Sequence, residues 1–321
     1  MQRFACAALA AVAFTGGAAA DDAPKAGELV FRPALDAVVP YVQRTRWHAE
    51  QRVEKKTLKW DGEIAQDFDL SVAGRSDDGT TRVNLALGRC HGWAEATNAP
   101  RVEFDTADAA PPADPLIGNP AFSPRRGTIA LAVTRDGRAV AIDELVKAQD
   151  AAVKAGRADL KAWQAPAAMW RATFAVREIG LLYPPLPGKP TPAGVLYDDE
   201  ALPSGASAPL YRLRRRNELA AKSAEKALIR ASGEVADLDP ANAPSARKKD
   251  DDRRDGPTLR TSSFSSTAEI DRDDGLVLRA NYHLAVTIAS RFAVKDGLAD
   301  GTTTHEWDIA LERRPKPEAG K

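Results

Sequence analysis

The chain has 321 residues and equal numbers of acidic and basic side chains, 45 of each. That length buries a sizeable core in one large or two small domains. Zero net charge removes the general electrostatic pull toward nucleic acid or anionic lipid, and 22 Gly with 22 Pro predict many turns and long loops.

Residues 1–20, MQRFACAALAAVAFTGGAAA, carry Arg3, a short apolar run from Phe4 to Phe14, and a small-residue end at Ala18–Ala20. This pattern predicts a secretory signal cut after Ala20. The run is too short to cross about 30 Å of hydrocarbon, which takes about 20 residues. Cys6 lies inside the run, not at its end, and is not placed for lipid attachment. Cleavage leaves Cys90 as the one cysteine, so stability must come from packing and not from an intrachain disulfide. No later segment has the length and apolarity of a membrane-spanning helix. The expectation is a soluble exported protein. The Ala/Arg/Asp-rich composition has a bacterial look and points to the periplasm.

Residues 21–40 carry no clear period. From Ile64 the chain alternates: Ile64, Phe68, Leu70 and Val72 share one parity and Asp67, Asp69 and Ser71 the other. The turn signal SDDG, 76–79, leads into Val83, Leu85 and Leu87, which predicts an antiparallel hairpin. Val102 and Phe104 add a short strand. After a Pro/Ala/Asp-rich loop at 107–127, Ile129, Leu131 and Val133 alternate, RDG at 135–137 turns the chain, and Val140 and Ile142 return it.

The period then changes. Asp143 is placed to cap a helix that Gly156 ends, with Leu145, Ala148, Ala152 and Val153 as its stripe. A second helix is predicted within 159–179, started or kinked at Pro166. Trp163, Met169, Trp170 and Phe174 form its apolar side, either a seam docked on a sheet or the lid of a cavity. The segment YPPLPGKPTPAG, 183–194, is extended and stiff. Strands follow at Tyr211–Leu213 and Leu228–Val235. The charged stretch 238–257 is predicted to be a mobile loop.

The strongest strand signal is last. Phe264, Ala268 and Ile270 precede the turn DRDDG, 271–275. Leu276, Leu278, Ala280, Tyr282, Leu284, Val286 and Ile288 then hold one parity, with Arg279, Asn281, His283 and Thr287 on the other. A strand of about 13 residues exceeds the usual 3–10 and suits a bent sheet. Trp307, Ile309 and Leu311 give a final strand before the polar tail 315–321. The fold class expected is mainly β with α: a curved antiparallel sheet or half-open barrel with two packed helices over residues 143–179, spanning 21–314. Two β-rich halves meeting near 183–195 are the alternative.

No familiar metal, nucleotide or hydrolase motif is present. No catalytic residue, cofactor or metal is therefore expected. The candidates are weaker constellations. Cys90–His91 is a thiol beside an imidazole; adjacent strand residues face opposite sides, but Gly88 and Gly92 leave room for a turn. Arg279, Asn281 and His283 share a polar strand face, which would bind a polar headgroup or small anion if it lines a cavity. Arg212, Arg214 and Arg216 of RLRRR share another face suited to anion contact, although no aromatic platform accompanies them for nucleic acid. DRDDG lacks the twelve-position calcium-loop pattern and reads as a solvated turn.

Three stretches carry a resemblance: NPAFSPRRGTIALAVTRDGRAVAID at 119–143, LYPPLPGKPTPAG at 182–194, and SSTAEIDRDDGLVLRANYHLAVTI at 265–288. They resemble pieces of uncharacterised secreted β-rich bacterial families. The order strands–helices–strands is similar to periplasmic lipoprotein-carrier domains. That resemblance implies a half-open barrel holding acyl chains under helices, and no catalytic residue. The expected functions, in order, are non-enzymatic binding of a lipid or other amphipathic ligand in envelope maintenance, a structural or interaction module that contacts another envelope protein, and a hydrolase using Cys90, His91, His283 and His305.

Overall fold

The computed structural model describes residues 28–107, 127–140, 185–187, 189–201, 211–237, 258–295 and 297–315. Twelve strands are formed by β1 (Val38–Val53), β2 (Lys56–Arg75), β3 (Thr81–Ala96), β4 (Ala99–Asp105), β5 (Gly127–Val133), β6 (Ala139–Val140), β7 (Leu196–Ala201), β8 (Tyr211–Lys222), β9 (Lys226–Asp237), β10 (Thr258–Asp271), β11 (Val277–Val294) and β12 (Gly297–Arg313). They make one antiparallel sheet in the order β6-β5-β3-β2-β1-β12-β11-β10-β9-β8-β7, with β4 paired to β3 beside that path. The chain's two β-rich parts therefore join through β1 and β12, whose register runs from Tyr41↔Arg313 to Val53↔Gly301.

Among the described residues the sheet is not closed, because β6 and β7 are its two ends and share no ladder. A short connector nevertheless touches both. The Leu186 amide donates to Asp136 O in the β5–β6 turn, at 2.6 Å, and the Tyr197 hydroxyl on β7 donates to Pro185 O, at 2.7 Å. Residues 28–32 lie across the same end of the sheet, with Phe31 N donating to Arg135 O and Arg32 N to Asp274 O, both at 2.8 Å. This close approach explains Gly275: its φ is +69°, and a Cβ there would stand 2.0 Å from Val30 O.

Leu29, Phe31 and Leu186 share one apolar cluster with Leu85 and Leu131 from one side of the sheet and Leu213 and Ile229 from the other. The expected parity holds along β11: Ala280, Tyr282, Leu284 and Val286 are all buried on this core face. It slips at a register shift between Glu269 and Ile270. There Val277 takes the position facing Ile270, pinned by a 2.8 Å hydrogen bond from the Tyr41 hydroxyl to its carbonyl. Leu276 is buried beside it, while Leu278 is only half-buried.

The predicted helices at 143–179 and the predicted loop at 238–257 lie outside the described residues, as do residues 1–20. The two expected helices therefore fall on residues that are not described; among the described residues there is no helix, and the fold is mainly β. No helix there is long and apolar enough to cross a membrane.

Candidate functional site

The core face changes character along the strands. Near the turns at 76–79, 134–138 and 271–275 it is sealed. Toward the opposite end burial fades along a face that sets apolar and aromatic residues beside polar ones such as His305 and Thr303. Along β11, Leu284 is 0% exposed and Val286 7%, and Ile288 is half-buried. Along β12 and β1 the sequence is the same: Ile309 and Thr45 are buried, and Trp307 and Trp47 are half-buried. Leu58 and Trp60 on β2 and Leu259 on β10 continue this half-covered surface.

The local sequence shapes that surface. Trp47 and Gly62 are cross-strand partners. A Cβ on Gly62 would lie 2.0 Å from the Trp47 ring, so glycine lets the indole lie flat on β2. Trp307 is the partner of Trp47 on the other flank. The His305 ring stacks on Trp307, with centroids 5.3 Å apart and an interplanar angle of 9°. Burial pushes the His305 imidazole below its ordinary pKa.

Polar groups interrupt the core face deeper in. Gln43, Thr45 and Gln66 are buried in its centre. Gln66 Nε2 donates to Asp67 O at 2.7 Å and to Gly88 O and Arg89 O at 3.3 Å. The last two carbonyls belong to a bulge, because register shifts there between Gln66↔Cys90 and Phe68↔Leu87. On β7 and β8 a second buried set forms. Arg215 donates to Asp199 from Nε at 3.1 Å and from Nη2 at 2.6 Å, and Asn217 Nδ2 donates to Asp199 Oδ1 at 2.7 Å. The same carboxylate raises the Tyr197 phenol, after burial as the larger cause.

The sequence-predicted residues fall in several places. The β3 bulge turns Cys90 onto the core face, fully buried against Ile64 and Phe104. His91, next along the strand, faces the other way and pairs in register with Asp105. The proposed turn bringing imidazole to thiol is not formed, and a thiol sealed from water has no access to a substrate. His305 is on the core face and His283 on the outer face, so the set Cys90, His91, His283 and His305 does not converge.

Arg279, Asn281 and His283 share a face as expected, but it is the outer one. Arg279 is bound to Glu269 at 2.6 Å, and His283 Nδ1 meets Asp308 Oδ1 at 2.8 Å. Asn281 and His283 line a shallow outer groove of about 500 Å³. Arg214 and Arg216 are also outward and exposed, Arg216 reaching Asp198 at 3.2 Å. Arg212 lies on the same strand, two residues earlier. Trp163, Met169, Trp170 and Phe174 lie outside the described residues. No group of three or more metal-ligating side chains occurs among the described residues.

Reading the sequence missed Trp47, because β1 carries polar residues on both faces. It also missed Arg215, although the parity of RLRRR sets it beside Leu213 and opposite Arg214.

No protein-family model matches the chain, and no curated protein matches it. Solved structures with some likeness include lipovitellin, studied for its lipid–protein interactions (TM-score 0.45, 7% identity, 90% of this chain and 26% of that one). Others are an outer membrane channel from Pseudomonas putida F1 (TM-score 0.23, 8% identity, 90% and 98% covered) and a DUF1329 family protein from Desulfovibrio piger ATCC 29098 (TM-score 0.13, 8% identity, 86% and 87% covered). The chain spans about a quarter of the lipovitellin chain. Likenesses of this size define neither a family nor a ligand for this chain.

Proposed function

We propose that this is an exported, periplasmic, non-catalytic carrier that holds a hydrophobic or amphipathic molecule against the half-covered end of its core face. One observation carries the reading. The face remains apolar and aromatic at Trp47, Trp307, Ile288 and Leu259 beyond the point where the described residues bury it. Covering roughly 200 Å² of such surface is worth about 5 kcal/mol before the cost of ordering the ligand. The flat Trp47 ring offers a wide contact for an acyl chain, and the buried polar set lies farther along the same face. A lipid is the favoured partner class, and a role in envelope maintenance follows from export.

Native extraction followed by mass spectrometry tests the proposal. An acyl-bearing molecule should co-purify in near-stoichiometric amount and be lost from Trp47→Ala/Trp307→Ala. Protein that carries no amphiphile and takes none up from lipid vesicles would defeat it.

A further inference from the structure

A second site stands apart from the carrier face, on the opposite side of the sheet. The outer groove of about 500 Å³ is within the ordinary range for a small-ligand site. Register assembles it from five strands. One row across the sheet is Glu63, Arg46, Asp308, His283 and Ser265. The next row is Arg44, Ala310, Asn281 and Thr267. Directly opposite side chains have Cβ atoms about 4.5–5.5 Å apart, so each group reaches its neighbour along a row that spans roughly 19 Å from Glu63 to Ser265. Ala310, Ser265 and Thr267 are short, whereas the long side chains Arg44, Arg46 and Glu63 all stand on the β1–β2 side of the groove.

The polar groups are largely unspent. Arg46, Glu63, Ser265, Thr267 and Asn281 make no side-chain hydrogen bond or ion pair with another described residue. His283 is held by Asp308 through Nδ1 at 2.8 Å, which leaves Nε2 available to a ligand. Arg44 reaches Glu312 only at 3.9 Å. Charge decides the ligand class. Two arginines are offset by the Glu63 and Asp308 carboxylates, so a phosphate would meet acids as well as bases. A neutral ligand with many hydroxyls suits the set instead: carboxylates and Asn281 Oδ1 accept from it, while arginines, hydroxyls and the Asn281 amide donate to it.

The geometry points to a saccharide-binding groove centred on Arg46, Asn281, His283 and Ser265. NMR titration of the full chain with cellobiose and with N,N′-diacetylchitobiose tests it, with inorganic phosphate as a separate arm. At least one disaccharide should give saturable shifts at the Asn281 side-chain amide and at the backbone amides of 265–267, 281–283 and 308–310. Arg46→Ala/Asn281→Ala should bind at least about tenfold more weakly. Phosphate should leave the same signals in place. Absence of sugar-induced shifts, the same shifts from phosphate, or unchanged sugar affinity in the double variant would each overturn the site. Neither variant residue touches the core face, so amphiphile uptake should survive in that protein, and failure here is distinguishable from failure of the carrier reading.

Discussion

Asp199 and Arg215 face each other across β7 and β8 and close a two-armed ion pair whose side chains are 2% and 3% exposed. A buried pair of this kind is strong only while both members remain, since removing one strands the other's charge. Arg215→Ala should therefore cost about 3–5 kcal/mol of unfolding free energy. The double change Asp199→Leu/Arg215→Met should recover most of that loss. Urea unfolding of the three proteins checks both statements. Equal destabilisation by the single and double variants would show that packing, not charge, dominates there.

Gly62 is the partner of the Trp47 ring, and its missing side chain is a packing requirement. Gly62→Ala puts a methyl where the indole lies. Alanine ordinarily suits a strand better than glycine, but overpacking should win by about 1–3 kcal/mol. Trp47→Leu should relieve the clash and make Gly62→Ala nearly neutral. A double-mutant cycle measures the coupling.

His305 gives a pH dependence with a definite sign. Burial lowers its folded pKa below the ordinary 6.5, so the unfolded chain binds its proton at a higher pH. The contribution to stability is complete above about pH 6.5 and is lost as the pH falls below that value. His305→Phe keeps a ring beside Trp307 and removes the titration. Between pH 7.5 and 5.5 the urea midpoint of the natural chain should fall more than that of the variant. Equal falls would place the imidazole in water.

The sequence was most readable where one face is apolar and the other polar. The alternation from Ala280 to Val286 identified β11, and SDDG, RDG and DRDDG marked turns whose glycines all have positive φ. β1 was invisible because Gln43 and Thr45 occupy core positions while Val42 is buried on the other face. Cys90 was hard to orient because two bulge residues, Gly88 and Arg89, reverse the parity after Leu87. The outer groove depends on register between strands far apart in sequence, and a period within one strand carries no register information. Thus His283 and Asn281 could be set on one face, but their neighbours Arg44, Arg46 and Asp308 could not be named.

Tryptophan emission quenching by 9,10-dibromostearate most directly tests whether the half-covered core face takes an acyl chain. Bromine quenches only at contact range, and Trp47 and Trp307 lie on that surface. The carrier account predicts saturable quenching whose amplitude is clearly smaller in Trp47→Phe/Trp307→Phe, with Trp60 on the same surface keeping part of it and the fold retained. Quenching that never saturates, or that is the same in the double variant, would contradict it.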